Sequence, residues 1–335
     1  MDLIRVVHFH RKPRAVGNYS IETYYQLIRE KMVPEIMITP HLSRYESKGL
    51  LKRIYNIFEA AFHQGDVNHV TGDVHFLTVL MRKKKTILTV LDCGILKDAT
   101  GWKRSLLKLF WFSWPVRSVS FITAISESTK KDLLSIIKFP AEKIKVIYVA
   151  VSPIFKPVVK KFDEQHPRIL HIGTAPNKNL KNTILALKDI PCTLVIIGKE
   201  SLEEEKLLNV YGIQYEWYKK SLAEEAVYLE YIKCDMLSFV SLLEGFGMPI
   251  LEANATGRVV ITGNNSSMPE VAGDSALLVD TSSTEKIREG FLQLINDRAL
   301  RNDLIERGFK NVRRFSIDNI VKQHEELYRE IHEMR

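Results

Sequence analysis

The sequence predicts an α/β protein of two doubly wound domains facing a cleft. Three observations predict it. Short β-branched runs alternate with helical patterns along the 335 residues, which is the rhythm of βαβ units and parallel sheets. A chain of this length suits two domains of ~100–200 residues each. Between the halves, residues 152–167, "SPIFKPVVKKFDEQHP", hold three prolines and mixed charge with little periodicity, so they read as an interdomain linker.

In chain order, the first half offers strands at 3–9, 35–38, 67–71, 86–91, 119–124 and 144–149. The second half offers 168–173, 193–198, 235–240, 258–262 and 276–279. Helical patterns fall between them, among others at 19–30, 127–137, 179–188, 223–233 and 285–295. A last helix opens at Ser316, with Asp318 in its first turn, a plausible N-cap arrangement. The expected domains are 1–155 and 156–315, and helix 316–335 has the option of packing back on the first. In such sheets ligands bind at the carboxyl ends of the strands, so the chemistry belongs in the loops that follow them.

The bulk numbers set bounds. Hydrophobic content of 45% and charged content of 26% are those of an ordinary globular chain. A formal net charge of +8 favours anionic partners: nucleotides, nucleic acid or an anionic membrane surface. No nucleic-acid-reading motif accompanies that charge, so nucleic acid is not an expected partner. Cys93, Cys192 and Cys234 lie far apart in apolar surroundings and read as buried thiols in a reducing compartment. The chain opens directly into a strand pattern, so no leader is expected. Its longest apolar run, 106–124, is broken by Lys108, Pro115 and Arg117, so no transmembrane segment is expected. A cytoplasmic protein, with the option of peripheral attachment to the membrane face, fits these features.

The most informative stretch is "SLLEGFGMPILEANATG", residues 241–257. It follows a strand pattern directly. Gly245 and Gly247 form a turn, and Pro249 suits the first helical position, where its missing N–H costs nothing. Met248 lies between turn and proline. A helix N-terminus presents unpaired N–H groups and the positive end of its dipole, a natural anion site. Glu244 would repel a phosphate there and is better placed on neutral hydroxyls. Glu252, about one turn into the helix, reaches a second set. Two hydroxyl-binding acids around a phosphate-binding turn describe a nucleotide sugar. Spacing alone is equally compatible with an ordinary strand–turn–helix carrying two solvated acids.

The residues "EGFGMPILEA" closely resemble the signature of the group-one, retaining glycosyltransferases of two Rossmann-like domains, the GT-B fold. In that pattern Glu244 matches the acid on the transferred sugar and Glu252 the acid on the ribose, with Phe246 between the glycines. The similarity runs on through "GRVVITGNNSSMPEVAGDSALLVD" and back to Ser241 and Asp235. A second loop, "LHIGTAPNKNL", is similar to the family's glycine-to-lysine loop. There Gly173 ends a strand, and Lys178 with Asn179 opens a helix. The resemblance implies that Lys178 binds the diphosphate. Many members carry arginine directly after the glycine, where this chain has Thr174.

The first domain matches more loosely. Gly17 stands where the family has a glycine-rich loop approaching donor and acceptor. Relatives often carry His-Asp where this chain has Leu91-Asp92. His75, which follows a strand pattern, is the substitute candidate for a catalytic histidine, although a lone histidine is more often structural. The asparagine usual near Val149–Ala150 is absent. No Asp-x-Asp pair occurs, so no metal clamp and no cofactor are expected. Residues 101–115, "GWKRSLLKLFWFSWP", and the run Arg82–Lys85 place cations beside aromatics, as an anionic membrane interface would. A core helix with a solvated basic edge is the alternative.

The resemblance implies a retaining hexosyltransferase that moves a sugar from a nucleotide-sugar donor to a glycan or lipid-linked acceptor, with surface polysaccharide biosynthesis as its setting. The expected catalytic residues are Glu244, Lys178 and His75. The expected donor site is Gly17, Gly173, Thr174, Lys178 and Asn179, together with Glu244, Gly245, Phe246, Gly247, Met248, Pro249 and Glu252. Two rivals remain: a sugar-nucleotide epimerase of the same fold and a catalytically silent sugar-binding subunit.

Overall fold

The computed structural model describes residues 3–12, 20–96 and 99–334. Gly17 lies outside them. Contacts divide the chain into two compact units, Met1–Ala150 with Ile317–Arg335, and Val151–Ser316.

The first unit runs β1 (Ile4–His10), α1 (Ser20–Lys31), β2 (Ile36–Leu42), α2 (Leu50–Phe62), β3 (Val67–Val70) and β4 (Thr86–Val90). It continues with α3 (Gly101–Leu107), β5 (Phe121–Ala124), α4 (Glu127–Ile136) and β6 (Ile144–Val146). The second unit runs β7 (Arg168–Ile172), α5 (Leu180–Ala186), β8 (Thr193–Ile197), α6 (Leu202–Val210), β9 (Gln214–Tyr218) and α7 (Glu224–Lys233). After these come β10 (Met236–Phe239), α8 (Met248–Thr256), β11 (Val259–Gly263), α9 (Met268–Ala272) and β12 (Leu277–Val279). Helices α10 (Thr284–Asn296) and α11 (Arg298–Val312) complete it, and α12 (Ile317–Glu333) returns to the first unit.

Each unit holds one six-stranded sheet, and every strand pair is parallel. The strand orders are β2-β1-β3-β4-β5-β6 and β12-β11-β10-β7-β8-β9. Helices cover the faces, so the central strands are buried and mostly apolar, as parallel sheets require. Every residue of β4, β5 and β11 is buried. In the second unit, Ile184 of α5 and Phe291 and Leu294 of α10 close the core over Ile169, Leu194 and Ile261.

Two strand expectations change. The strand expected at 35–38 extends to Leu42 through Pro40. It lies at the edge of the sheet, where a residue without an N–H is tolerated. Strand β9 was not expected. Its residues, "QYEWY", are all exposed or half-buried, because β9 is the other kind of edge and never acquires a buried apolar run. The proline-bearing segment 152–167 is irregular but not loose. Phe155 packs edge-on against Tyr228 and Tyr231 at 5.7 and 5.6 Å, and Asp235 holds Lys160 and the backbone N–H of Asp163. The run at 82–85 also differs from a free basic patch. Lys85 Nζ donates to the carbonyls of Ile331, His332 and Met334 at 3.2, 2.8 and 2.6 Å, so it caps the C-terminal end of α12.

Candidate active site

The second sheet reverses its direction of growth between β7 and β10, and that is where ligands bind in such folds. Two loops leave those strands side by side: 173–179 after β7 and 241–247 after β10. The turn ends in Gly247, whose φ of 120° and ψ of 47° only glycine adopts easily. Helix α8 begins at Met248 with Pro249 in its first turn. The first N–H groups of the helix have no partner within it.

Lys178 and Glu244 meet here. Their Nζ and Oε1 atoms are 2.7 Å apart, with both side chains mostly buried. The ammonium also lies 5.0 Å from the Phe239 ring centre. Gly173, at φ 94°, packs under the lysine, and a Cβ there would come within 2.8 Å of the Lys178 stem. The loop therefore aims Lys178 at Glu244. Sequence reasoning gave the two residues separate partners; in the structure each holds the other.

Glu252 sits one turn into α8 and accepts a hydrogen bond from the Tyr231 hydroxyl at 2.8 Å. Burial pushes its pKa up to about 7, against the pull of that hydroxyl. Thr174 donates to the Lys199 carbonyl at 2.7 Å. Met248 and Pro249 are half-buried at the helix start, and Gly245 lies in the turn beside Glu244.

Two of the expected donor-site residues turn their side chains inward. The Phe246 ring is buried and packs edge-on against Phe315 at 5.7 Å, so it anchors the turn from below. Asn179 is also buried, at φ 63°, and its Nδ2 donates to the carbonyls of Val240 and Thr281 at 3.0 and 2.8 Å. Its amide holds loops together, because each carbonyl would otherwise be a buried acceptor without a donor.

Sequence reasoning missed the residues that fix the 241–247 loop. Asn177 Nδ2 donates to the Leu243 carbonyl at 3.0 Å, and Asn265 Nδ2 to that of Leu242 at 2.7 Å. Ser266 Oγ donates to the Glu244 carbonyl at 2.6 Å, and Ser267 Oγ to that of Phe246 at 2.6 Å. Ser266 adopts φ 58° to do so, a conformation that persists only where its surroundings demand it. The signal was present in "NNSS", residues 264–267, but polar residues after a strand do not announce which loop they will grip.

His75 belongs to the first unit, in the turn after β3. It is buried, and its Nδ1 lies 2.8 Å from the Trp111 carbonyl. That bond places the proton on Nδ1 and leaves Nε2 as an acceptor. Burial holds its pKa below the usual histidine value. It shares a cavity of about 420 Å³ with His10, Arg11, Asp73, Asp92 and Trp111. This cavity lies at the carboxyl ends of β1, β3 and β4.

Comparison with known proteins agrees with this geometry. Residues 155–311 match the family model described as glycosyl transferases group 1. The O-antigen chain mannosyltransferase B of Escherichia coli is 27% identical over 226 residues, covering 62% of this chain and 59% of the relative. An uncharacterized glycosyltransferase of Methanocaldococcus jannaschii is 24% identical over 311 residues, covering 87% of this chain and 84% of the relative. The crystal structure of Anabaena HepE in complex with UDP and glucose superposes with a TM-score of 0.75 at 14% identity, over 98% of this chain and 100% of that one. Two parallel sheets with flanking helices are thus the GT-B architecture, and residues 155–311 are similar to the group 1 glycosyl transferases.

Proposed function

We propose that the protein is a retaining glycosyltransferase that moves a sugar from a nucleotide-sugar donor to a glycan or lipid-linked acceptor in surface polysaccharide synthesis. The observation that carries this reading is the Lys178–Glu244 pair beside the N-terminus of α8. The pair supplies one cation for a diphosphate and one carboxylate for sugar hydroxyls, at a helix end suited to anions. Glu252 takes the ribose hydroxyls. Support comes from a relative named as an O-antigen mannosyltransferase and a structural neighbour holding UDP and glucose.

In a retaining, front-face course the bond from the sugar C1 to the diphosphate oxygen breaks. The acceptor oxygen bonds to C1 on the same face, and its proton passes to an oxygen of the leaving phosphate. Lys178 and the α8 N–H groups stabilise the charge that develops on the diphosphate, where one donor is worth ~10²–10³ in rate. His75 orients a hydroxyl through Nε2. No metal clamp takes part. The acceptor is presented at an anionic membrane face, which the enzyme meets from the cytoplasmic side through exposed cations and aromatics.

The test is transfer from a panel of UDP-, GDP-, dTDP- and ADP-sugars to lipid-linked acceptors, with the anomeric configuration of the product read by NMR. The expected product keeps the donor's configuration. Glu244→Gln is expected to keep nucleotide binding and lose transfer by ~10²-fold. A Glu244→Gln enzyme turning over at the wild-type rate removes the assigned role, and isomerised donor without acceptor favours an epimerase.

A further inference from the structure

Helix α2 turns its apolar stripe outward. Leu50, Leu51, Ile54, Tyr55, Phe58 and Phe62 are all exposed, Leu51 to 82% and Phe62 to 85%. At 3.6 residues per turn the six fall within an arc of about 140° whose one polar group is the Tyr55 hydroxyl at its edge. The buried positions of the helix are Asn56 and Ala60. A helix that packs on its own domain does the reverse, and a contiguous exposed apolar face of this kind marks an interaction surface.

The charges around the face are of one sign. Glu59, the only acid of α2, is turned inward, accepting the Arg44 backbone N–H at 3.1 Å and lying 3.8 Å from His41 Nε2. Lys52 is exposed at one edge of the arc. Beyond the other edge, Arg53 sits 5.3 Å from the Trp111 ring centre, which joins α2 to the segment 99–126. That segment contains no Asp or Glu but has Lys103, Arg104, Lys108 and Arg117. It exposes Trp102, Leu106, Leu109, Phe110 and Trp114 along α3 and the π-helical turn Lys108–Ser113 that follows it.

We propose that α2 is the element that enters the acyl region of an anionic lipid leaflet, with residues 101–114 beside it at headgroup level. The inference rests on the membrane reading above and adds the element that penetrates. A lipid leaflet fits better than a protein. The arc offers one hydrogen-bonding group, the Tyr55 hydroxyl at its edge, where protein interfaces carry many polar contacts, while a tyrosine and cations at its edges and tryptophans beside it suit an interface between water and anionic lipid. Among the described residues no helix is long and apolar enough to cross a membrane, so α2 lies in one leaflet.

The experiment uses the full chain and phosphatidylcholine–phosphatidylglycerol vesicles. Cys93, Cys192 and Cys234 are buried, so Phe58→Cys provides the reactive thiol for a polarity-sensitive dye. The dye is expected to report an apolar environment on adding vesicles and to keep part of that signal at high salt, because insertion is not screened. The triple variant Ile54→Gln, Phe58→Gln, Phe62→Gln is expected to lower vesicle partition by roughly tenfold or more, with an unchanged thermal midpoint. Wild-type sedimentation with vesicles while the dye at 58 stays in water overturns the role of α2 and leaves membrane attachment standing. Absence of wild-type binding to any vesicle overturns both. A dye shift without vesicles that grows with protein concentration overturns the lipid assignment in favour of a second copy of the chain.

Discussion

At the residue scale, Lys178 is the most exposed to test. Its ammonium is shared between Glu244 and the Phe239 face, so a diphosphate must compete for it. Lys178→Ala is expected to weaken nucleoside diphosphate binding by ~1.5–3 kcal/mol, the value of a charge-assisted hydrogen bond, and to leave nucleoside binding almost unchanged. Gly173→Ala should reproduce part of that loss without touching a charge, because the added methyl meets the lysine stem. Equal losses for nucleoside and diphosphate by calorimetry would place Lys178 away from the pyrophosphate. Glu252 supplies a pH signature. With its pKa raised to about 7 by burial, the carboxyl is half protonated near neutrality. The ionised form is the better acceptor for ribose hydroxyls, so nucleoside affinity should rise as pH climbs through about 7. The sign for stability is opposite. The folded state holds this proton more tightly than the unfolded state, so this group's contribution falls as pH rises from its ordinary value through about 7. Glu252→Gln should flatten both profiles, and an unaltered affinity profile in that variant would remove Glu252 from the ribose.

At the element scale, α12 is held on the first unit by a polar seam as well as an apolar one. Ile320, Leu327 and Ile331 are buried beneath it. The Tyr328 hydroxyl lies 2.8 Å from both His8 Nε2 and His69 Nδ1, and Tyr24 Oη lies 3.2 Å from His324 Nε2. Lys85 then closes the carbonyl end of the helix, where a cation also meets the negative end of the dipole. Lys85→Met keeps the stem and removes the charge. It should cost about 1–2 kcal/mol in chemical denaturation and raise amide exchange in the last turn of α12. An unchanged denaturation midpoint would show the cap to be dispensable.

At the scale of the whole molecule, the two units have separate cores and different titration behaviour. The first unit buries His8, His10, His69, His75 and His324. Burial lowers all five, His10 to about 4 and His324 to about 3. Unfolding exposes these rings, which then take up protons below about pH 6.5, so the first unit loses stability as pH falls from there. The second unit buries one such ring, His171, lowered to about 4, and gains from Glu252 over the same interval. Scanning calorimetry at pH 7 and pH 5 should therefore move two transitions apart. The nucleoside diphosphate of the donor that the panel selects should raise the transition of the second unit, by ~2.7 kcal/mol at 100 times its dissociation constant. One transition that shifts as a whole with both pH and ligand would contradict this picture.

The local pattern decided much of this protein by itself. Buried parallel strands such as Thr86–Val90 and Val259–Gly263 read as apolar runs because every one of their residues meets a helix. The turn at Gly247 and the helix start at Met248 and Pro249 followed from backbone chemistry confined to neighbouring residues. Long-range packing decided the rest. Lys178 and Glu244 are 66 positions apart, and no local rule pairs them. The side chains of Asn179 and Phe246 are engaged by buried carbonyls and a neighbouring ring, partners that no neighbouring residue announces. An apolar arc such as that of α2 reads the same whether a core covers it or water meets it. Periodicity reports which residues share a face, and only the tertiary structure decides what that face touches.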